Sequence, residues 1–386
     1  MKVPFFDLRV TDNVLRGKLL ASVEHVLEHG RLILGPEVEL FEEKIAKEVG
    51  VKYALGVASG SSALYMSLKA TGIMPGDEVI TTPLTWIITL NAIAVCGAVP
   101  ICVDVGKDFN IDPTAIEAAI TNKTKAIVPM HYCGKMCDME AIQKIANRHN
   151  LLIIEDAAQA YGATFKSKKA GTYSKVSMFS MNTMKSLASY GEAGVIVTDD
   201  KDIYDIVKMI RYAGTKSDPK KIVTNDCYYS ELNHKLDTIQ ASLLLVAMEY
   251  YPEKMFKRTR IANRYNQLLS KYVDVPQINR LDIHALYSYT IGVNQRDEMQ
   301  KYLNENGIET KIYHLPLAID APVYRSIRKL PIPTARVQSQ RCLSIPAHEK
   351  LSDEQVEYVA SKVIEFCQKN SFDNQLFESV KEGVML

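Results

Sequence analysis

The chain has 386 residues, of which 47% are hydrophobic, and its 46 Lys and Arg residues nearly balance its 45 Asp and Glu residues. A chain of this length exceeds one ordinary hydrophobic core, so we expect about two domains. The balanced charge argues against a protein that binds nucleic acid or an anionic membrane through a charged surface. No window of the sequence approaches the run of roughly 18–20 apolar residues that a membrane span requires.

The N-terminus and the cysteines both indicate the cytoplasm. Residues 1–8 lack the charged, apolar and cleavage regions of a secretory signal peptide. The chain has seven cysteines, an odd number, and most stand in apolar surroundings, which is typical of free thiols in a reducing compartment. Cys133 and Cys137 form a Cys-x3-Cys motif without a second pair, so we predict no metal site.

In chain order, the first predicted element is helical and covers residues 36–70, because apolar residues such as Val38, Phe41 and Ile45 recur at helix spacing. Strands then alternate with helices. Strands are predicted at 78–83, 100–105, 125–130, 151–156, 176–180 and 195–198, and helices at 89–96 and 138–150. The strands are apolar and β-branched without alternation, so we predict an α/β fold with a largely parallel sheet covered on both faces.

The pattern changes near residue 250. A long helical region runs from about 237 to 272 and is predicted to break near Pro252. Short strands and helices follow at 287–293, 297–306 and 310–314. We therefore predict three parts: an N-terminal segment (1–35) that packs on the small domain or on a partner subunit, a large α/β domain (36–250), and a smaller α+β domain (251–386).

Three short motifs point to the chemistry. Asp156 ends a predicted strand, Lys185 lies on a polar stretch between a strand and the Gly-rich turn 191–194, and Gly60 precedes a helical pattern. Ligands of open α/β sheets bind at the carboxyl ends of strands. A lysine that forms a Schiff base and a carboxylate that keeps a pyridine nitrogen protonated are the two groups that pyridoxal phosphate needs. A helix N-terminus suits its phosphate, so the motifs together predict a site for this cofactor.

Each of these residues also has a simpler interpretation. Asp156 alone is more often a helix N-cap, Lys185 a solvated lysine, and Gly60 the start of a plain N-cap without an anion. Ser180 can be a phosphate ligand or a turn hydroxyl. Trp86, the only tryptophan, can stack on a flat ring or belong to the core. The occurrence of the three motifs together, in this order, favours the cofactor site.

These segments resemble the DegT/DnrJ/EryC1/StrS family of sugar aminotransferases, which are fold-type I pyridoxal-phosphate enzymes. The resemblance covers nearly the whole chain and is carried by 35–42 (GPEVELFE), 57–64 (VASGSSAL), 75–80 (PGDEVI), 85–86 (TW), 97–100 (GAVP), 155–159 (EDAAQ), 179–185 (FS-x4-K) and 229–241 (YSELNHKLDTIQA). It implies a large, mainly parallel, seven-stranded sheet domain with a smaller C-terminal α+β domain.

The resemblance also implies residue roles. Lys185 would form the Schiff base with pyridoxal 5'-phosphate, and Asp156 would contact the ring nitrogen. The other implied contacts are Trp86 and Gln159 at the ring, Gly60, Ser61 and Ser180 at the phosphate together with Asn233 from the partner subunit of a homodimer, and His314 on the substrate side.

Some residues depart from the family pattern. Residues 182–184 are Asn-Thr-Met where a proline and a serine or threonine are usual, and the glycine turn 191–194 reads Gly-Glu-Ala-Gly. Residues 211–215 also differ from the usual pattern. These departures leave the lysine chemistry untouched but do not specify a sugar. One branch of the family carries histidine at the lysine position and dehydrates sugars, and Lys185 argues against that branch.

The leading hypothesis is an aminotransferase that moves an amino group from L-glutamate to a keto group of a nucleotide-linked deoxysugar, in amino-sugar or cell-surface polysaccharide biosynthesis. The chain has neither a Gly-x-Gly-x-x-Gly after a strand nor a Walker-type loop. The nucleotide diphosphate would then be bound by Arg211, Lys216, Lys220 and Lys221, unless this charged run is a solvated loop. The alternatives are the same chemistry on a small phosphorylated ketone or a keto-inositol, and a non-catalytic, cofactor-bearing regulator.

Overall fold

The structure is a computed structural model that describes residues 1–216, 225–277 and 282–381, with side chains up to residue 369. Its first half contains α1 (Asn13–His29), α2 (Pro36–Val49), β1 (Tyr53–Val57), α3 (Gly60–Ala70), β2 (Glu78–Thr81), α4 (Ile88–Val95), β3 (Val99–Cys102), α5 (Pro113–Glu117), β4 (Thr124–Ile127), α6 (Met139–His149), β5 (Leu152–Asp156), β6 (Thr164–Phe165), β7 (Lys168–Lys169), β8 (Val176–Ser180) and β9 (Gly194–Thr198). Its second half contains α7 (Lys201–Arg211), α8 (Thr238–Leu269), β10 (Tyr289–Gly292), α9 (Arg296–Glu305), α10 (Pro333–Arg341), β11 (Cys342–Ile345) and α11 (Asp353–Lys381).

Seven of these strands form one sheet in the order β1-β9-β8-β5-β4-β2-β3. β9 is antiparallel to both of its neighbours, and the other pairs are parallel. Both faces are buried: along β5, Ile153 belongs to one apolar cluster and Ile154 to another, because successive side chains point to opposite faces. This confirms the predicted α/β class with a mainly parallel, seven-stranded sheet.

The prediction that residues 36–70 are helical throughout is wrong. Gly50, in the left-handed conformation with φ of 92°, caps the end of α2, and β1 separates α2 from α3. Glycine reaches this conformation without the steric cost that a Cβ would add, so it is a common helix terminator. β1 is an edge strand that pairs only with β9 among the described strands, and a five-residue strand between two helices leaves a weak periodic signal.

The predicted break of the long helix at Pro252 is also wrong, because α8 continues through this residue. A proline removes one backbone hydrogen bond from a helix interior. Packing on both sides of it compensates: Leu244 lies in a core cluster of the sheet, and Tyr265 lies in a separate cluster with β10 and β11. The predicted strand at 310–314 is reduced to one bridge, between Lys311 and Ser344.

The apolar cluster that contains Tyr265 joins the C-terminal half of α8 to β10, β11, α9 and α11. The N-terminal residues contact the same region, since Val3 pairs with Ile308, while α1 packs along α8 through Leu19 and Leu243. The division of the chain at residues 35 and 250 stays a prediction. Within the described residues, every helix is too short or too polar to cross a membrane.

Candidate active site

A cavity of about 580 Å³ lies where the carboxyl ends of β5 and β8 meet the N-terminus of α3. The sheet brings these ends together although they are far apart in sequence. The residues predicted for the site that line this cavity are Gly60, Ser61, Trp86, Asp156, Gln159, Ser180, Lys185 and His314.

Lys185 lies on the connection between β8 and β9. Backbone hydrogen bonds within this connection join its two ends. Met181 N–H donates to the carbonyl of Ala193, and Ser189 N–H donates to Met181. The Lys185 residue is half-buried, and its Nζ lies 4.4 Å from the centre of the Tyr287 ring. Burial of the amine lowers the pKa of Lys185 to about 8, although the nearby charge of Asp156 opposes the shift. At pH 7 about a tenth of the amine is therefore in the free form.

Asp156 is the last residue of β5 and is 4% exposed. Its Oδ2 accepts a hydrogen bond from the Thr89 hydroxyl at 2.9 Å, and its Oδ1 accepts one from Ala158 N–H at 3.2 Å. Burial raises the pKa of the Asp156 carboxyl, and the two hydrogen bonds, followed by the charge of Lys185, act in the opposite direction. The carboxylate is thus held among donors at the end of its strand.

Glu155, the neighbouring acid, points to the other face of the sheet. Its Oε1 accepts from Gly171 N–H at 2.6 Å and lies 2.9 Å from His131 Nε2. Cys137 N–H donates to Nδ1 of the same histidine, so Nε2 carries the proton and donates to Glu155. Glu155 does not line the cavity, and its hydrogen bonds give it a structural role.

Gly60 and Ser180 form a tight corner at the start of α3. A Cβ added to Gly60 would lie 2.6 Å from the Cβ of Ser180, so only glycine fits there. Ser59 caps the helix by accepting from Ser62 N–H, while the first-turn N–H groups of Gly60 and Ser61 have no acceptor inside the helix. This corner directs backbone donors and the Ser180 hydroxyl towards one place, which suits an anion.

Gln159 and Trp86 both line the cavity. Gln159 is buried, and its Oε1 accepts from Cys133 N–H at 2.7 Å, which leaves its amide N–H groups as donors. Trp86 is 63% exposed and lines the cavity just before α4. An exposed indole beside a cavity is available to stack on a flat ring.

His314 is buried at the cavity, where its ring meets Tyr132 edge to face at 5.5 Å. Burial, with the charge of Lys185, lowers the pKa of His314 to about 3, so the ring is neutral at physiological pH. Neither ring nitrogen has a hydrogen-bond partner among the described residues. An unsatisfied buried imidazole is costly, which favours a role with a bound molecule.

Sequence reasoning missed several residues of this cavity. Thr89 contacts Asp156, Tyr287 lies under the lysine amine, and Asn182 donates to Glu192 at 2.6 Å across the cavity wall. Tyr313, next to His314, also lines the cavity. Their contacts join segments that are remote in sequence, so no local sequence pattern indicates them. The one usable signal is the spacing of Thr85 and Thr89, which lie one helical turn apart.

Three predicted residues lie outside the cavity of their own chain. Asn233 is exposed and pairs with Tyr212, and Lys216 is exposed. Arg211 is buried in an ion pair with Glu42 at 2.6 Å and also donates to the carbonyl of Gly56, which commits it to the fold. Lys220 and Lys221 lie outside the described residues.

One cluster of metal-binding residue types does occur, although no metal site was predicted. His25, His29 and Glu37 bring their ligand atoms within 4.8 Å of one another. Arg31 N–H donates to His29 Nδ1, so the ring proton is on Nε2, which donates to Glu37 at 3.1 Å. The His29 nitrogen that faces Glu37 therefore carries a hydrogen and offers no lone pair to a metal ion. His29 and Glu37 form a hydrogen-bonded pair.

Comparison with known proteins identifies the family of the chain. The profile of the DegT/DnrJ/EryC1/StrS aminotransferase family matches residues 14–364. The chain is 38% identical to a pleiotropic regulatory protein of Geobacillus stearothermophilus, with 95% of this chain and 99% of that protein covered. It is 32% identical to the UDP-2-acetamido-2-deoxy-3-oxo-D-glucuronate aminotransferase of Pseudomonas aeruginosa, with 93% and 99% covered.

Among solved structures, NtdA of Bacillus subtilis, with bound cofactor PMP, superimposes with a TM-score of 0.86 at 30% identity. The match covers 95% of this chain and 85% of that one. The match to the family profile extends over most of the chain. The chain therefore belongs to the DegT/DnrJ/EryC1/StrS aminotransferase family.

Proposed function

We propose that this aminotransferase uses pyridoxal phosphate, held at Lys185, to transfer an amino group from L-glutamate to the keto group of a nucleotide-linked deoxysugar. The observation that carries the proposal is the shared cavity of Lys185 and Asp156. In this cavity an amine with a lowered pKa and a buried carboxylate lie near the N-terminus of α3, whose free N–H groups suit an anion.

The residues of the cavity fit the cofactor. The corner of Gly60 and Ser180 has no room for a Cβ, and it presents helix N–H groups and a hydroxyl that suit a phosphate. Trp86 offers an exposed aromatic face, and Asp156 offers an acceptor for a ring nitrogen. The cofactor bound in the similar NtdA structure supports the same assignment.

The residues act by positioning and by moving protons. When bound, pyridoxal phosphate carries the amino group and takes up the electron pair left by a substrate carbon that loses its proton. Lys185 Nζ, free in part near neutral pH, would bind the cofactor and then move the proton off and onto the substrate carbon. The carboxylate of Asp156 would hold a proton on the ring nitrogen, and Gln159 would donate from its amide nitrogen.

The charges around the cavity bear on the acceptor. Of the described residues that line it, Lys185 is the only lysine or arginine, whereas Asp156 and Glu192 are acidic. A nucleotide diphosphate needs cations, so it would extend beyond this cavity towards basic side chains elsewhere. Lys216, with Lys220 and Lys221, remains the proposed set, and the buried Arg211 is left out. The name of the Pseudomonas relative, an aminotransferase of a UDP-linked oxo-sugar, supports this acceptor class.

The decisive experiment follows release of 2-oxoglutarate when the purified protein is incubated with glutamate and a panel of keto compounds. We expect turnover with nucleotide-linked keto-sugars. Efficient amination of a small phosphorylated ketone or a keto-inositol, with every nucleotide sugar ignored, would contradict the proposed acceptor. Cofactor binding without amino transfer from any donor would instead support a regulator, the function named for the Geobacillus relative.

A charge variant tests the diphosphate site. Replacing Lys216, Lys220 and Lys221 together by glutamine should raise the acceptor KM by roughly tenfold or more, because charged hydrogen bonds to the diphosphate are lost. The glutamate half-reaction should stay intact. Lys301→Gln, at an exposed lysine of α9, is the matched control, and an equal rise in KM there would remove the support.

A further inference from the structure

Two threonine hydroxyls form a series of hydrogen bonds that ends at the buried carboxylate of Asp156. Thr89 Oγ1 lies 2.9 Å from Asp156 Oδ2, and Thr85 Oγ1 lies 2.7 Å from Thr89 Oγ1. Both threonines are 2% exposed. The three side chains therefore form a continuous chain of hydrogen bonds that is shielded from bulk water.

The direction of these hydrogen bonds follows from the number of protons. An ionised carboxylate only accepts, so the single hydroxyl proton of Thr89 must point to Asp156. Thr89 then has lone pairs but no proton for Thr85, so the Thr85 hydroxyl is the donor of the second bond. Every proton in the chain points towards Asp156, which makes the carboxylate the terminal acceptor.

We propose that Thr89 is a positioning residue for the aminotransferase reaction. Its hydroxyl keeps Asp156 ionised and oriented towards the ring nitrogen of the cofactor, and Thr85 fixes the orientation of that hydroxyl. This inference rests on the proposed function of Asp156 and assigns to Thr89 and Thr85 a part in the same site.

The other groups that act on Asp156 do not replace Thr89. Ala158 N–H binds the opposite oxygen, Oδ1. Lys185 favours the ionised form through space, whereas the His131 ring is hydrogen-bonded to Cys137 N–H and to Glu155. Glu155 points to the other face of the sheet. Thr89 is thus the described side chain that both binds the carboxylate and fixes the position of Oδ2.

The position of Thr89 on its turn links it to the cavity wall. Thr89 N–H donates to the carbonyl oxygen of Trp86 at 3.0 Å. The same turn therefore places the Trp86 ring at the cavity and the Thr89 hydroxyl against Asp156. One short segment at the start of α4 would set both the stacking surface and the carboxylate of the ring site.

The experiment compares Thr89→Val, which keeps the shape of the side chain and removes the hydroxyl, with Thr89→Ser, which restores it. Thr85→Val removes only the outer donor. Thr81→Val is the matched control, because Thr81 is fully buried and its hydroxyl donates to the carbonyl of Val128. Each holoenzyme is prepared with 15N-labelled pyridoxal phosphate, whose NMR shift reports protonation of the ring nitrogen. The glutamate half-reaction is measured in parallel.

Without the Thr89 hydroxyl the carboxylate becomes more basic, so the proton should move from the ring nitrogen towards Asp156. We expect Thr89→Val to shift the 15N signal towards the unprotonated form and to slow the half-reaction by about ten- to a hundredfold, with little change in glutamate KM. Thr89→Ser and Thr81→Val should resemble wild type, and Thr85→Val should fall between. If Thr89→Val does not fold, the comparison of Thr89→Ser with Thr85→Val decides.

A Thr89→Val protein with the wild-type signal and rate would overturn the positioning role, as would an equal loss in Thr81→Val. A wild-type protein that binds the cofactor but transfers no amino group would overturn the proposed function, and the NMR comparison would still decide the role of Thr89.

Discussion

Two lysines of the described chain share an unusual property, and only one lines the cavity. Burial lowers the pKa of both Lys185 and Lys254 to about 8. Lys254, however, lies 3.4 Å from the carbonyl oxygen of Lys185 and 3.9 Å from Glu349, in a neighbouring cleft. A lowered pKa alone does not single out the reactive amine, whereas its position does.

Borohydride reduction of the cofactor-loaded protein should therefore label Lys185 and leave Lys254 unlabelled, as read by peptide mapping. Lys185→Ala should lose the label, the visible absorbance of the bound cofactor and transamination. Because the pKa of Lys185 is lowered to about 8, its free-amine fraction rises through that pH, so cofactor uptake by the apoprotein should accelerate as the pH rises through about 8. A label on Lys254 would contradict the assignment.

The adjacent acids Asp156 and Glu155 should respond differently to amide substitution. Asp156→Asn should slow both half-reactions by orders of magnitude while the cofactor still binds, because a neutral amide cannot hold the proton on the ring nitrogen. Glu155→Gln weakens the buried hydrogen bonds to His131 and Gly171 and should cost roughly 1–3 kcal/mol of folding free energy, with the rate per folded molecule retained. Single-turnover rates and thermal unfolding separate the two effects. Near-normal rates in Asp156→Asn would rule out its proposed role.

Strand ends explain why some site residues could be predicted and others could not. Asp156 and Ser180 end apolar strands, and the carboxyl ends of parallel strands meet at one edge of a sheet. Thr89 reaches Asp156 across 67 positions, and Tyr287 reaches Lys185 from beyond α8. Such contacts depend on tertiary packing, for which the sequence carries no periodic signal.

At the scale of elements, the start of α3 depends on the absence of one side chain. Gly60→Ala should lower cofactor affinity by about tenfold or more, because the new Cβ displaces Ser180 and disturbs the proposed phosphate contacts. The matched control is Gly106→Ala, outside the cavity, where a Cβ would meet only the flexible carboxylate of Asp108. That change should leave the cofactor affinity at the wild-type value. Fluorescence titration of the apoproteins measures the affinities, and equal affinity in Gly60→Ala would refute the phosphate corner.

The elements that sequence analysis misjudged share a cause. The predicted helical region includes β1 because Ala54, Leu55 and Val57 continue an apolar stretch between two helices. The sequence predicts a break of α8 at Pro252 because local propensity disfavours proline inside a helix. In both places tertiary contacts, pairing with β9 and packing against two cores, outweigh the local preference.

At the scale of the whole molecule, we propose a homodimer with sites shared between subunits. Exposed apolar side chains occur along α1, in the connection after it and in α2, which suits an interface: Val14, Leu20, Leu27, Leu32, Ile33 and Leu40. Asn233, predicted to reach the phosphate, lies outside the cavity of its own chain. Sedimentation should show a dimer at assay concentration, and an active monomer would exclude shared sites.

Mixed dimers give the sharper test. Lys185→Ala and Asn233→Ala should each be impaired alone, the second through weaker cofactor retention. If Asn233 completes the partner's site, a mixed dimer of the two variants contains one intact site and one doubly defective site. Mixing should therefore restore activity. Activity no higher than the average of the two separate variants would show that Asn233 acts within its own chain or not at all.

The helix α8 connects the two apolar cores directly, so a movement of one core is transmitted to the other. Its 32 residues extend about 48 Å, with one end in the core of the sheet and the other in the core around β10 and β11. The cavity is lined both by sheet residues and by the segment from Ile312 to Ala321. Pro252 cannot donate a backbone hydrogen bond, so α8 has one hydrogen bond fewer at this residue than elsewhere in its interior. Bending of α8 would concentrate at that residue, so its substitution by alanine should stiffen the molecule without touching a ligand.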